Sequence, residues 1–472
     1  MLHRVRQAVQ LGALALSVSM VSLGAAKAET LSDALAAAYE NSGLLDQNRA
    51  LLRAADEDVA STLALLRPMI NWFGEIGLGY TVGETAATTP SSYNSTDRQA
   101  AIGLSFELLL FDNGVTKLAV DAAKETVLAT RQALISAEQS VLFDAVSAFM
   151  FVVRDTEIVL LRQNNLRVLE RELQASRDRF EVGEVTRTDV ALSEARLEGA
   201  RAELAAAQGN LLESQEFYTA AIGHRPGRLE SPKSLPYTAN SIDDVRAVAL
   251  RSHPQLTQAQ YEISAAELNV LRAKAGMGPT VTFTARQYVD QEFGDPYYTN
   301  SSSVGLSFSG PIYQGGRLSS LARKAAAQRD AVRAALHLTR NNVSRQAGTA
   351  WARLIAAGAA IKSSERQVVA AQIAFDGVRE EAKVGARSTL DVLTSEQDLL
   401  DAQSNVISAQ ATQYIAAYGV LSAMGLLTVD HLNLRVERYD PEAYYNLVKD
   451  APALRSKRGQ QLDKVLKTIG KE

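Results

Sequence analysis

The chain is one unit written twice. Asp33 in LSDALAAAYENS corresponds to Asp244 in IDDVRAVALRSH at an offset of 211, and Pro68 in RPMINWF to Pro279 in GPTVTF at the same offset. From there on the offset is 202: Gly103 in IGLSF with Gly305 in VGLSF, Phe111-Asp112-Asn113-Gly114 with Tyr313-Gln314-Gly315-Gly316, Val182-Gly183 with Val384-Gly385, Asp189-Val190 with Asp391-Val392, and Gly223 with Gly425. One nine-residue length difference absorbs the whole shift, and it falls between residues 83–98 and 289–301. Both stretches are rich in Ser, Thr, Asn, Tyr and Pro, the composition of a surface loop that tolerates changes of length. A repeat of about 200 residues is too long for a solenoid unit. It is a duplicated half.

Each half follows the same order. A helical run over about residues 30–66 ends at Pro68, which cannot continue a helix. Two stretches of period two follow, at about 69–82 and 99–110. In the first, Ile70, Trp72, Ile76, Leu78, Tyr80 and Val82 alternate with Asn71, Glu75 and Thr81; in the second, Ile102, Leu104, Phe106 and Leu108 alternate with Gly103, Ser105 and Glu107. The second copy repeats this at about 280–290 and 302–310. Such alternation fits a membrane barrel wall, apolar outward and polar inward. It also fits a soluble sheet with one face on a helix layer, and periodicity alone does not separate the two.

Between the hairpins the chain is helical and long. Residues 115–178 hold no Gly or Pro over 64 residues, and 317–380 match them with only isolated Gly348, Gly358 and Gly377. At about 1.5 Å per residue, such a helix is about 96 Å long. We expect helices over 115–181 and 317–383, each followed by a turn and a second helix, 188–221 and 389–425. Val159, Leu166, Leu173 and Phe180 recur every seven residues, as do Leu197, Leu204, Leu211 and Tyr218, and Leu393, Leu400, Ile407, Tyr414 and Leu421. That is a coiled-coil seam. The helices at 30–66 and 188–221, stacked end to end, match one long helix; 242–275 and 389–425 do the same in the second half.

Two hairpins give four strands. In lipid, four strands would leave two edges of unpaired backbone groups, each group costing several kcal/mol. The smallest bacterial barrels have about eight strands. If the strands form a barrel, several copies must share it: two would supply eight strands, three would supply twelve.

Residues 1–28 read as a signal peptide: a basic start at Arg4 and Arg6, an uncharged apolar stretch from Leu11 to Ala26, and the small-x-small site Ala26-Lys27-Ala28. No later stretch reaches the roughly 20 apolar residues of a membrane helix. The chain has no Cys, which excludes disulfides, thiolate metal sites and an acylated N-terminal Cys. A net charge of −4 argues against a partner held by nucleic-acid phosphates.

These residues resemble the TolC-type outer-membrane channel-tunnel proteins from Leu31 to about Val429. The duplicated half, the two G-L-S-F strands with their following turns, and the two V-G-x5-D turns carry the resemblance. It implies a fold that is mostly α with a β-barrel part: a long coiled-coil α-barrel, and four strands per protomer in a shared trimeric 12-strand barrel. It implies a homotrimer contacting outer-membrane lipid and serving as the passive exit duct of a tripartite efflux pump or type I secretion system. A periplasmic adaptor (membrane fusion) protein would dock on it, and an inner-membrane pump or ABC transporter would supply the energy.

The resemblance also assigns residues. The tip turns Val182-Gly183 and Val384-Gly385 take the adaptor-docking positions. Thr188, Asp189 and Arg387 take positions whose hydrogen bonds and ion pairing close the resting tunnel, and Asp391 takes that of an acidic ring in the lumen. Two positions depart from the pattern. Ala382 stands where a closing tyrosine is found, and Thr394 where a second lumenal acid is found, so we expect a weaker constriction. By residue type alone, Gly183 and Gly385 are helix C-caps, Thr188-Asp189 open one following helix, Ser388 caps the other, and both acids suit a helix N-terminus.

Nothing points to catalysis. The five His show no ligand spacing, there is no H-E-x-x-H, P-loop or G-x-S-x-G, and no cofactor or metal is expected. The expected divisions are signal peptide 1–28, first repeat 29–229, linker 230–241, second repeat 242–430, and a C-terminal periplasmic tail 431–472, basic and polar from about residue 452 and there a mobile or weakly helical end. A periplasmic coiled-coil adaptor or a structural coiled coil would also carry long helices. The adaptor would lack two lipid-facing hairpins, and the structural protein would lack strands.

Overall fold

The computed structural model describes residues 28–84 and 92–469. The expected leader therefore lies outside the described residues except for Ala28, as does the centre of the first variable loop. The first half comprises α1 (Leu31–Asn41), α2 (Gly43–Ala64), β1 (Met69–Glu84), β2 (Ser92–Phe111), α3 (Val115–Glu181) and α4 (Arg187–Ile222). The second comprises α5 (Ile242–Ser252), α6 (Pro254–Ala275), β3 (Thr280–Glu292), β4 (Tyr298–Ser309), α7 (Arg317–Lys383) and α8 (Thr389–Ala423). The short α9 (Val429–Leu432), α10 (Pro441–Val448) and α11 (Lys457–Ile469) follow. Helices α3 and α7 both run 67 residues, which is about 100 Å.

Two expected helices are each broken in two. Ser42 takes an extended backbone and its hydroxyl accepts from Leu45 N–H, starting α2 afresh. Pro254 lacks an N–H and can stand only in a first turn, so His253 ends α5 and α6 begins. The breaks receive the ends of α4 and α8. Asn41 Nδ2 donates to the Ile222 carbonyl at 3.1 Å, and Ser252 Oγ donates to the Met424 carbonyl at 3.0 Å. Both seats need a glycine. Gly223 and Gly425 have φ of 96° and 77°, and a Cβ on Gly425 would lie 2.8 Å from the His253 Cα. The tail ends in α11, a 13-residue helix.

The elements form one wall. Helix α3 packs against α2 and α4 on one side and against α6 and α8 on the other, and α7 packs on α6 and α8. The antiparallel sheet has the order β1-β2-β3-β4. Each strand continues into its own column: α2 into β1, β2 into α3, α6 into β3, β4 into α7. The main core lies where α1, α3, α4 and α8 meet, around Leu35, Leu142, Phe149, Tyr218, Ile222 and Leu421. Helix α3 contains one 18-residue window apolar enough to cross a membrane, contrary to the sequence expectation; most of that window is buried inside the molecule. Helix α7 stands at the edge of the wall and buries only Val343, Ala347 and Ala357.

Among the described residues no helix layer covers the sheet. Trp72, Ile76, Val304 and Phe308 are 77%, 81%, 72% and 73% exposed. The register puts them on one face: Trp72 pairs with Leu104, Phe106 with Ala285, and Ala285 with Val304. The other face carries Asn71, Ser105, Arg286 and Ser303 in one row. An apolar face open to its surroundings and a polar opposite face exclude the soluble-sheet alternative.

Candidate functional site

The far ends of the two helical hairpins are built alike. After α3, Gly183 adopts φ 79°, its N–H bonds the Phe180 carbonyl at 3.0 Å, and Glu184 N–H reaches the Arg179 carbonyl at 2.9 Å. After α7, Gly385 also has φ 79°, its N–H bonds the Ala382 carbonyl at 3.0 Å, and Ala386 N–H reaches the Glu381 carbonyl at 2.9 Å. This pair of bonds closes a helix end around a left-handed glycine. It leaves Val182 and Val384 projecting, 71% and 81% exposed.

Each turn then opens the next helix with a capping box. Thr186 Oγ1 donates to Asp189 Oδ2 at 2.7 Å, and Asp189 N–H returns to Thr186 Oγ1 at 3.3 Å. Ser388 and Asp391 repeat this at 2.9 and 3.2 Å. The cap of α4 is thus Thr186 rather than Thr188, which is the exposed second residue of the helix. The cap of α8 is Ser388. The signal was present in the sequence as T-x-x-D and S-x-x-D, the capping-box spacing.

The hydrogen bonds fix the charges. Donation by Thr186, assisted by the Thr389 hydroxyl of the neighbouring tip, holds the Asp189 carboxyl below the usual carboxylate range. Ser388 and then Arg387 do the same for Asp391. Arg387 Nε donates to Glu381 Oε2 at 2.7 Å, and that contact with the field of Asp391 raises the pKa of the guanidinium further. Within one protomer, Asp189 and Arg387 therefore have different partners. The structure brings Arg387 together with Glu381 and Asp391, and Asp189 together with Thr186 and Thr389. At the two departures, Thr394 Oγ1 donates to the Leu390 carbonyl at 2.8 Å, and the Ala382 carbonyl accepts the Gly385 bond.

Above the tips the two hairpins meet in a small core of Leu169, Leu173, Leu197, Ala200 and Leu393. One turn farther along α8, burial and the field of Glu172 on α3 push the Glu396 carboxyl up to about 7, against the pull of Arg379 and Arg196. Glu396 Oε2 is buried without a hydrogen-bond partner. The sequence reading passed over this acid, because in a heptad seam it resembles any solvated polar residue.

The sequence matches the family profile described as "Outer membrane efflux protein" over residues 34–224 and 245–426. The chain belongs to that family. The two matched segments correspond to the two halves of the wall. Among relatives of this efflux family, the outer membrane efflux protein BepC of Brucella suis is 35% identical over 93% of this chain and 94% of its own length. The outer membrane protein TolC of Vibrio cholerae is 23% identical over 85% and 92%. The crystal structure of the Campylobacter jejuni CmeC outer membrane channel superposes with a TM-score of 0.72 at 14% identity, covering 89% of each chain. The protein is thus an outer-membrane channel-tunnel rather than an enzyme. Its sheet is the outer-membrane segment, and its helices extend the tunnel into the periplasm.

Proposed function

We propose that three copies close one duct, with twelve strands in the outer membrane above a ring of helical columns, and that the duct is the passive exit of a tripartite efflux pump or type I secretion system. One observation carries this reading: the wall is open along both vertical edges. Strands β1 and β4 each have a free edge, the β4 edge continues down into the little-buried α7, and the β1 edge continues into α2 and α4. Exposed Leu338, Val369 and Ile373 on α7 supply an apolar stripe for the next copy. Unpaired strand edges in lipid are costly enough to make the monomer untenable there.

The tips form the gate. Asp189, Thr188 and Arg387 face the tips of neighbouring copies in this reading, and three Asp391 carboxylates around one axis favour cations. The projecting Val182-Gly183 and Val384-Gly385 turns receive a periplasmic adaptor, which couples the duct to an inner-membrane pump or ABC transporter. Native mass spectrometry of the detergent-purified protein tests the assembly: three copies are expected, and a stable monomer or dimer contradicts it.

A further inference from the structure

The tail climbs the wall toward the membrane. Tyr444 donates to Glu57 Oε1 at 2.8 Å, Val448 packs on Ala60, and Arg67 Nη1 donates to the Ala451 carbonyl at 2.9 Å. These partners rise in order from Glu57 and Ala60 on α2 to Arg67, which lies in the turn after α2, two residues before β1. The chain then turns, and α11 packs back with Leu462 against Ala60 and Val448.

The segment so placed is basic in an acidic protein. Residues 449–467 carry six Lys and Arg against Asp450 and Asp463, in a chain of net charge −4. Arg455, Lys457 and Arg458 are exposed at the turn, where Arg458 also pairs with Asp450. Beside them Leu454 is 73% exposed, and Leu65, Leu66 and Met69 at the foot of β1 are exposed too. That apolar ground runs straight into the lipid-facing Ile70 and Trp72. A projecting leucine among cations, at the rim of a membrane-embedded band, is the composition of an interfacial contact.

We propose that residues 449–467 form a second membrane contact. The turn and α11 bind the phosphates of phospholipid headgroups in the periplasmic leaflet, with Leu454 entering the headgroup boundary. The contact fixes the height of the barrel in the membrane. It rests on the outer-membrane placement and is independent of cargo, gate and pump.

The test uses the full-length purified protein in detergent, titrated with phosphatidylglycerol or phosphatidylcholine and read by native mass spectrometry. Each cation near an anionic surface is worth about fivefold in affinity. With Arg458 shared with Asp450, R455Q/K457Q/R458Q is expected to weaken phosphatidylglycerol binding by at least about tenfold and to leave phosphatidylcholine unchanged. The charge-retaining R455K/K457R/R458K is expected to bind as wild type. Equal phosphatidylglycerol binding by wild type and the neutral variant overturns the proposal. So does loss of the oligomer with lipid binding intact, which would assign this face to a neighbouring copy. Loss of binding to purified peptidoglycan with lipid binding intact would assign it to the cell wall and overturn it equally. Failure of the barrel reading shows separately, as wild-type protein that needs no detergent.

Discussion

Asp189 Oδ2 accepts from Thr186 Oγ1 at 2.7 Å and from Thr186 N–H at 3.0 Å, so the acid we propose for the gate is also the lock of its own helix start. Any variant of Asp189 therefore acts twice, on the cap and on whatever a neighbouring copy presents. Thr186→Ala separates the two. It is expected to cost roughly 1 kcal/mol of local stability, and Ser388→Ala about the same, without removing a charge from the tunnel mouth. Hydrogen exchange at the first turns of α4 and α8 checks this, and faster exchange confined to those turns is expected. Because the Asp189 and Asp391 pKa values are held low, the caps are intact above the ordinary carboxylate range and are lost only as pH falls below that range, through the lowered folded-state values.

Glu396 gives the opposite pH dependence. Its carboxyl is raised from 4.5 to about 7, so the folded state holds a proton that the unfolded state releases. The stabilisation is fully present below 4.5 and is lost as pH rises through about 7. Packing between the two hairpins is expected to be firmer at pH 5.5 than at pH 8. Buried Asp56 on α2, raised to about 6, adds a dependence of the same sign. The Tm difference between wild type and Glu396→Gln across that range isolates the Glu396 part. The variant is expected to have the flatter profile, and an unchanged slope contradicts the assignment.

Gly103 keys the central strand pair. A Cβ there would stand 2.5 Å from the Gln287 carbonyl oxygen and 2.9 Å from the Phe73 ring. The first neighbour is backbone and cannot rotate away. Gly103→Val is expected to cost about 1–3 kcal/mol and to lower the temperature at which the oligomer dissociates on a heated SDS gel. Gly305, with only Thr284 Oγ1 at 4.0 Å, is expected to accept alanine readily.

The two faces of the sheet should respond oppositely to charge. Val304→Arg places a guanidinium on the face argued to meet lipid, where it costs about 2–4 kcal/mol near the bilayer centre. Ser303→Arg places it on the lumen face in the same row as Arg286, where it should fold and shift ion selectivity toward anions. Assembly yield in outer-membrane fractions checks the first, and reversal potential the second.

The sequence spoke most clearly where a physical constraint acted on many residues at once. The 64-residue runs, one free of Gly and Pro and the other interrupted only by isolated Gly348, Gly358 and Gly377, located α3 and α7 because nothing shorter than a long column accommodates them. The alternation from Ile70 to Val82 located β1 because one face had to be apolar throughout. Local chemistry was read less well. The break at Ser42 hides in a run of good helix formers, and it exists because Asn41 and Ser42 serve the ends of two helices. Pro254 was legible as a break and was passed over in favour of length. Thr188-Asp189 was read as the helix opening, whereas the three-residue spacing of the capping box singles out Thr186. Glu381 was missed as the Arg387 partner because it lies on the opposite side of the turn.

Single-channel conductance in a planar bilayer tests the central claim most directly, with wild type beside Asp189→Ala/Arg387→Ala. A small, cation-selective wild-type current that rises several-fold in the double variant is expected if three copies form the duct and the tips close it. Absence of current from the membrane-inserted oligomer would contradict the duct, and equal conductance in the two proteins would contradict the gate.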